Sequence, residues 1–396
     1  MSLSTALHVA SSALMVNAAQ ADIASRNIAN ADRADYARRS AALITFGDNG
    51  GVGLTVERAT SRALAAAKLI ASSSDAAAAA VRDGLTQLAQ AGGLTSVDGV
   101  TSSALATGLA DLNTAIAAAA SDPNSATLRG AVIDSARSLT QTFHDTTAAI
   151  QTARADADAN IAAAVGEVND LLTQFKQAND DVVRGATRGG DINDALDRRD
   201  GIVAALSAKI GVQSLMRANG DMALYTDSGV TLFDKSPRAV SFAPTSTFDA
   251  STSGGNVFVD GVPLANVSGQ RATSSGEIFG LMRVRDEFAP RLQAQLDEMA
   301  RGLTQAFVER DPSGVASDAL GLFTDAGGTN PLAVGGAAGL AGRIVVAASV
   351  DPRQGGDTQL LRDGGVAGVA YRLNAAGASG YDARLLALNE ALRATQ

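Results

Sequence analysis

"IASRNIANADRADYARRSA", residues 23–41, holds two asparagines framing a small apolar pair, a charged break, and then a tyrosine followed by two arginines. The stretch interrupts an alanine-rich region, and its reading decides how the start of the chain folds. Asn27 and Asn30 can bond local backbone groups and so end or bend a helix, while Tyr36 can pack its ring and keep its hydroxyl in water. Upstream, Leu3, Leu7, Ala10, Leu14, Asn17 and Ala21 recur at alternating spacings of four and three, which places them on one helical seam. An isolated helix of this length is marginal in water, so the seam implies a partner helix; an ordinary amphipathic core helix shows the same spacing.

The rest of the composition narrows the class. A chain of 396 residues allows two or more domains at roughly 100 to 200 residues each. Hydrophobic residues reach 46%, but aromatic residues only 4%, with no Trp, so alanine carries much of the apolar count and close-packed helices suit it. The net charge of -9 argues against phosphate-backbone binding, and no nucleic acid partner is expected. Without cysteine there is no disulfide, Cys-based zinc site or thiol catalysis. The first twenty residues lack a basic region and a continuous apolar core, so they do not read as a Sec-type signal peptide. No continuous run approaches the roughly 18 apolar residues of a membrane span, and no membrane partner is expected.

Downstream, helix is expected from Ala63 to Ala91, a Gly, Ser and Thr loop over residues 92–103, and helix again over 104–120. Asp122 reads as the N-cap and Pro123 as the first residue of the next helix. That helix, from about Asn124 to Arg184, would reach on the order of 90 Å. Its apolar stripe runs Ala136, Leu139, Phe143, Ile150, Ala153 and Ala157, then Ile161, Ala164, Val168, Leu171, Phe175, Ala178 and Val182, with a slip between Ala157 and Ile161. Asp191 reads as the cap of a shorter helix that buries Ile192, Leu196, Ile202, Ala205, Leu206 and Ile210. The period then changes, and Asn219-Gly220 and Asp260-Gly261 mark two-residue hairpins inside an antiparallel β region over 212–273. Helix returns from Ser275 to Arg310 with Pro290 as a kink, and "GRIVVAASV" is the only clear strand between Asp311 and Gly380. A short helix, Asp382 to Thr395, is expected last.

The fold class expected is α+β, elongated and mainly helical, with a coiled-coil-like N-terminal arm, a long-helix bundle and a small antiparallel β domain. The segments are residues 1–45 for the arm, 46–211 for the bundle, 212–274 for the β insertion, 275–310 for a return helix and 311–396 for a Gly/Ala-rich mixed region.

Little here suggests chemistry. His8 and His144 have no acidic or second-His partner at helical spacing, so a metal site is weakly supported. "DINDALDRRD", residues 191–200, lacks the glycine and closing Glu of a calcium loop, and Asp194, Asp197, Arg198 and Asp200 are expected to form surface ion pairs. "GGAAGLAG", residues 335–342, has neither a dinucleotide fingerprint nor a P-loop lysine and reads as a flexible loop. No G-x-S-x-G elbow occurs.

The helical seam, Asn27-Ile28-Ala29-Asn30, the break and then Tyr36 resemble the N-terminal signature of the flagellar axial proteins of rod, hook and hook-filament junction. That family has Gly before the Tyr, where this chain has Asp35, and the usual Thr and Pro are missing. Four further stretches are similar to the junction branch: residues 2–14; residues 111–139; residues 193–212, through Leu196, Asp197, Arg199 and Asp200; and residues 275–300, through Gly276, Gly280, Leu281, Arg285 and Asp286, with Ile278 in place of a Leu.

The resemblance implies a structural protein without catalytic, cofactor or metal sites, exported by the flagellar type III apparatus and located in the extracellular flagellum. It would join hook to filament by self-assembly into a ring, with Leu3, Leu7, Ala10, Leu14, Ala21, Asn27, Asn30 and Tyr36 as assembly residues. The implied partners are copies of itself, hook protein, a second junction protein or flagellin, and a flagellar export chaperone. The family ends in a long helix that pairs with the N-terminal one; none is read here, so the seam is expected to want a partner. The alternatives are another axial protein, either hook protein or flagellin-like, a signalling coiled coil, which should lack the β hairpins, or a secreted effector, which would need a polar site.

Overall fold

The structure is a computed structural model that describes residues 3–33, 36–46, 51–93, 95–97, 100–264, 273–309, 317–328, 330, 331, 333, 336–363 and 366. The expected helix at Asp382–Thr395 lies outside the described residues.

Helix α1 (Leu3–Ala29) is followed by an antiparallel hairpin, β1 (Arg39–Phe46) with β2 (Gly51–Arg58). Helix α2 (Arg62–Ala91) leads to a short ladder, β3 (Thr95–Val97) with β4 (Val100–Ser102), inside the stretch expected to be loop alone. Helices α3 (Ala104–Ser121), α4 (Ala126–Arg188) and α5 (Asn193–Lys209) come next, and α4 alone has 63 residues. Strands β5 (Val212–Met216), β6 (Met222–Thr226), β7 (Thr231–Asp234) and β8 (Ser236–Pro237) form one sheet in that order. Strands β9 (Val240–Phe242), β10 (Val257–Val259) and β11 (Val262–Pro263) form another with β10 in the middle. The chain returns through α6 (Glu277–Arg283), a π turn at Val284–Phe288 and α7 (Ala289–Ala306). It then pairs β12 (Phe323–Asp325) with β13 (Ile344–Val346) and adds α8 (Gln359–Asp363). Helices with small antiparallel sheets make the class α+β.

Two compact units share the chain: residues 1–79, 162–243 and 256–280 in the first, and 80–161, 244–255 and 281–396 in the second. Helix α4 contributes to both. The division falls directly after Ile161, where the apolar spacing of α4 slips.

In the first unit the β strands are fastened to α4 by two asparagines that substitute for strand partners. Asn169 Nδ2 donates to the Val240 carbonyl at 2.9 Å and its Oδ1 accepts the Val240 N–H at 3.1 Å. Asn179 Oδ1 accepts the Met222 N–H at 3.1 Å. Phe175 of α4 and Phe233 of β7 meet edge to face, their centroids 4.9 Å apart. The Asp260-Gly261 turn joins β10 to β11 with two residues at positive φ, +48° and +79°, as expected. The β5–β6 turn is longer than the expected two residues. Arg217 and Asp221 close it, Gly220 takes φ +81°, and the Arg217 guanidinium pairs with Asp221.

Helix α5 departs from expectation on two points. Asp191 does not cap it; its carboxylate accepts the Asn193 N–H at 2.9 Å in a local turn, and Ile192 occupies the cap position. Its buried face is turned, so that Asp197, Arg199, Val203, Leu206 and Ser207 lie inward, while Ile192, Leu196 and Ile202 are half-buried and Ala205 is exposed. The cause is polar. Arg199, fully buried, donates to Asn179 Oδ1 at 3.0 Å and to the Gly220 carbonyl at 2.7 Å, and this contact sets the rotation.

The second unit holds one contiguous apolar core built from α3, α4, α7 and the β12–β13 pair, with Leu112, Ile116, Ile133, Leu139, Phe143, Ile150, Phe307 and Phe323 fully buried. Ser125, not Asp122, caps α4: its Oγ accepts the Leu128 N–H, while Asp122 ends α3 and Pro123 sits in the turn between. The stripe of α4 is buried as expected except at Leu171, where Leu172 takes the inward position. Pro290 has no N–H to give the carbonyl four residues back. One π turn precedes it, closed by the Ala289 N–H on the Val284 carbonyl. Strand β12, unexpected from its sequence, pairs with the expected β13. The glycine-rich stretch is packed rather than free: Leu340 and Ala341 are buried, and Asp297 of α7 accepts the N–H groups of Gly339 and Ala341.

Helix α2 is, by length and composition, long and apolar enough to cross a membrane, although alanines scattered among polar residues give it no continuous apolar run. Much of it is exposed, including Leu64 and Ile70.

Candidate assembly surface

The two asparagines of the opening stretch do different work. Asn30 closes α1 locally: its Nδ2 and its backbone N–H both donate to the Arg26 carbonyl, at 2.9 and 3.1 Å. Asn27 reaches farther, with Nδ2 donating to the Arg39 carbonyl at 2.8 Å and Oδ1 accepting the Arg39 N–H at 2.9 Å. It therefore pairs with the first residue of β1 as a neighbouring strand would. The Tyr36 hydroxyl, expected to stay wet, donates to Asn27 Oδ1 at 2.9 Å instead. Asn27, Asn30 and Tyr36 are thus brought together at the turn from α1 into the hairpin, all half-buried.

Helix α1 has two faces. Val16 and Ile23 are buried and Val9, Ser12, Ala19 and Gln20 half-buried, on the side that packs on β1 and β2. Positions two residues away along a helix lie about 200° round its axis. Leu7, Ala10, Leu14, Ala21 and Ile28 therefore lie on the far side, and all are exposed, Leu7 at 71% and Leu14 at 70%. Leu7, Leu14, Ala21 and Ile28 recur every seventh residue, as a helix–helix seam requires. Leu3 opens the same helix. The hairpin partner of α1 within this chain uses the opposite face from the seam read in the sequence.

A polar group missed from the sequence lies beneath the arm. Arg39, buried, donates to Asp194 and, at 3.0 Å, to Asp197; Arg58 donates to Asp197 and, at 2.8 Å, to Asp200. The aspartates of residues 191–200 therefore pair mainly with the hairpin rather than along their own helix, although Arg198 does approach Asp181 at 3.6 Å. The guanidinium of Arg39 holds the Asp194 carboxyl below its ordinary range, against the opposing effect of burial. Arg39 belongs to the arginine pair after Tyr36, and that pair beside an aspartate-rich helix was the available signal. Among the described residues no group of three His, Cys, Asp or Glu could hold a metal ion. His144 Nε2 lies 2.8 Å from the Ile344 carbonyl.

The chain is similar to known proteins. Flagellar hook-associated protein 1 of Escherichia coli (strain K12) is 26% identical over 215 residues, covering 54% of this chain and 39% of that protein. The protein of the same name from Salmonella typhimurium is 25% identical over 220 residues, covering 55% and 39%. These matches span about two fifths of the curated relatives' length. The structure of the flagellar hook junction protein FlgK from Burkholderia pseudomallei is similar in fold, with a TM-score of 0.51 and 20% identity over 67% of this chain and 47% of that one. The family model described as the flagellar hook-associated protein FlgK helical domain matches residues 94–323, more than half of the chain, and the chain belongs to that family.

Proposed function

We propose that this chain is a structural, non-catalytic component of the bacterial flagellum that joins hook to filament by assembling into a ring. The observation that carries the reading is the free face of α1: a heptad-spaced apolar seam left exposed while the opposite face is occupied by the chain's own hairpin. Residues 1–45 act as the tube-forming arm, and Leu3, Leu7, Ala10, Leu14 and Ala21 pack against neighbouring subunits, gaining about 25 cal/mol per Å² of apolar area removed from water. Asn27, Asn30 and Tyr36 fix the angle at which α1 leaves the hairpin. The contact between copies is heterologous, since a ring closes by rotation rather than by a twofold axis. Hook protein, a second junction protein or flagellin, and an export chaperone are its further partners. It leaves the cell through the flagellar type III apparatus and resides in the extracellular flagellum.

The double substitution Leu7→Asp with Leu14→Asp tests this reading. Both positions are exposed, so the fold is expected to be unchanged. In a host whose own copy is deleted, the variant is expected to reach normal abundance and to abolish swimming in soft agar. Swimming at the level of the unsubstituted chain would refute the assembly face.

A further inference from the structure

Three successive elements of the arm each contribute one arginine to the same face of α5. Arg26 of α1 lies 3.9 Å from Asp194, Arg39 of β1 contacts Asp194 and Asp197, and Arg58 of β2 contacts Asp197 and Asp200. The aspartates are spaced by three, which places them within about 120° of the helix surface. Three positive and three negative charges balance. The Ala37 N–H also donates to Asp197 Oδ1, at 3.4 Å, so Asp197 is the shared acceptor at the centre.

We propose that Arg26, Arg39 and Arg58 on the Asp194, Asp197 and Asp200 ladder form an ionic clasp that seats the arm, residues 3–58, on α5 and so sets the direction in which the exposed face of α1 is presented. The clasp is graded. Arg39, Arg58 and Asp197 are almost buried, and the outer carboxylates of Asp194 and Asp200 are open to solvent. Both inner guanidiniums bond through Nη2, and the Nε of each is buried without a partner. Each therefore depends on Asp197 more than a doubly bonded arginine would. Water screens the rim, whereas the centre keeps its strength in salt. Among the described residues, Asp197 takes three of the arm's hydrogen bonds to α5, from the Ala37 N–H, Arg39 and Arg58, so removing the central carboxylate loosens the arm without touching the core of α4.

Amide hydrogen exchange on the monomeric chain tests the clasp without reference to assembly, so its failure and that of the junction reading are separable. Asp197→Asn is expected to speed exchange across residues 39–58 by about tenfold while residues 126–188 keep their protection. Asp197→Glu, which keeps the charge, is expected to restore most of the protection, and Glu298→Gln, which breaks an exposed pair with Arg301, is expected to leave the arm unchanged. If Asp197→Asn fails to fold, Arg58→Gln gives the same reading with the contacts of Arg39 to Asp194 and Asp197 retained. Unchanged exchange over 39–58 would overturn the proposal, because apolar contacts would then hold the arm. Faster exchange in α4 as well would also overturn it, because the cluster would then support the whole unit.

Discussion

Asp158→Ala is expected to lower the stability of the second unit by about 3–5 kcal/mol, the usual cost of stripping a buried charge of its partner. Arg285 is fully buried at the π turn, and its Nη1 donates to Asp158 Oδ1 while Nη2 donates to the Gly255 carbonyl at 2.7 Å and to Asp286 at 2.7 Å. The other Asp158 oxygen accepts the Thr245 N–H at 2.7 Å. Beside it, Arg154 donates to the carbonyls of Arg285, Asp249 and Thr252 and lies 4.6 Å over the Phe248 ring. The two arginines thus fasten the stretch 244–255 to α4. Gly254 is required there, since a Cβ would stand 2.1 Å from Arg285 Nε. Asp286 remains after the substitution but is partly exposed and holds only one side of the guanidinium. Urea unfolding followed by helical circular dichroism measures the loss. A midpoint equal to that of the unsubstituted chain would mean that Asp286 and the carbonyls alone suffice.

Gly276→Ala is expected to cost about 2–4 kcal/mol in the first unit, through left-handed strain and backbone overlap together. Gly276 has φ +90°, where an L side chain is disfavoured. A Cβ there would meet backbone, at 2.7 Å from the Lys209 carbonyl oxygen and 2.7 Å from Ile210 Cα, and backbone cannot swing aside as a side chain can. The Gly276 N–H donates to the Ser73 carbonyl at 2.9 Å, so the turn also ties α2 to the entry of α6. Gly166, at an exposed position of α4 with nothing within 4 Å of its added Cβ, is the control, and Gly166→Ala is expected to be neutral or stabilising. Equal midpoints for the two variants would contradict the close approach at Gly276.

Gly276 and Arg285, the buried partner of Asp158, both belong to the stretch at 275–300 that resembles the axial family, and the structure gives that motif a physical reading. Gly276 allows the approach to α5, Arg285 carries the buried charge, and Asp286 offsets it. Long periodic helices were legible because burial of one face imposes their spacing: the stripe of α4 is buried almost residue for residue. The β1–β2 hairpin and strand β12 were not. The first has an Asn49-Gly50 pair between its strands, but the helical seam just before it dominates the reading of that segment; the second has only three residues. The rotation of α5 was hidden too, since its inward face is defined by Arg199 and Asp197 rather than by apolar residues. At the candidate surface, Leu7, Leu14 and Ala21 stood out by spacing. The three aspartates stood out as a cluster, but their pairing with Arg39 and Arg58 did not, because residues 139 or more positions apart in sequence leave no local pattern.

Because the chain has no cysteine, a single introduced thiol reports its neighbours without background. Leu14→Cys lies on the free face of α1, and Gln20→Cys lies on the face toward the hairpin. The measurement is photo-cross-linking of each variant in intact flagella after its thiol is labelled with a benzophenone maleimide, which captures whatever part of a neighbouring copy lies against it, read as a species of twice the chain mass. Such a species is expected for Leu14→Cys and none for Gln20→Cys. Equal cross-linking of both, or of neither, would contradict the claim that the exposed seam of α1 is where copies meet.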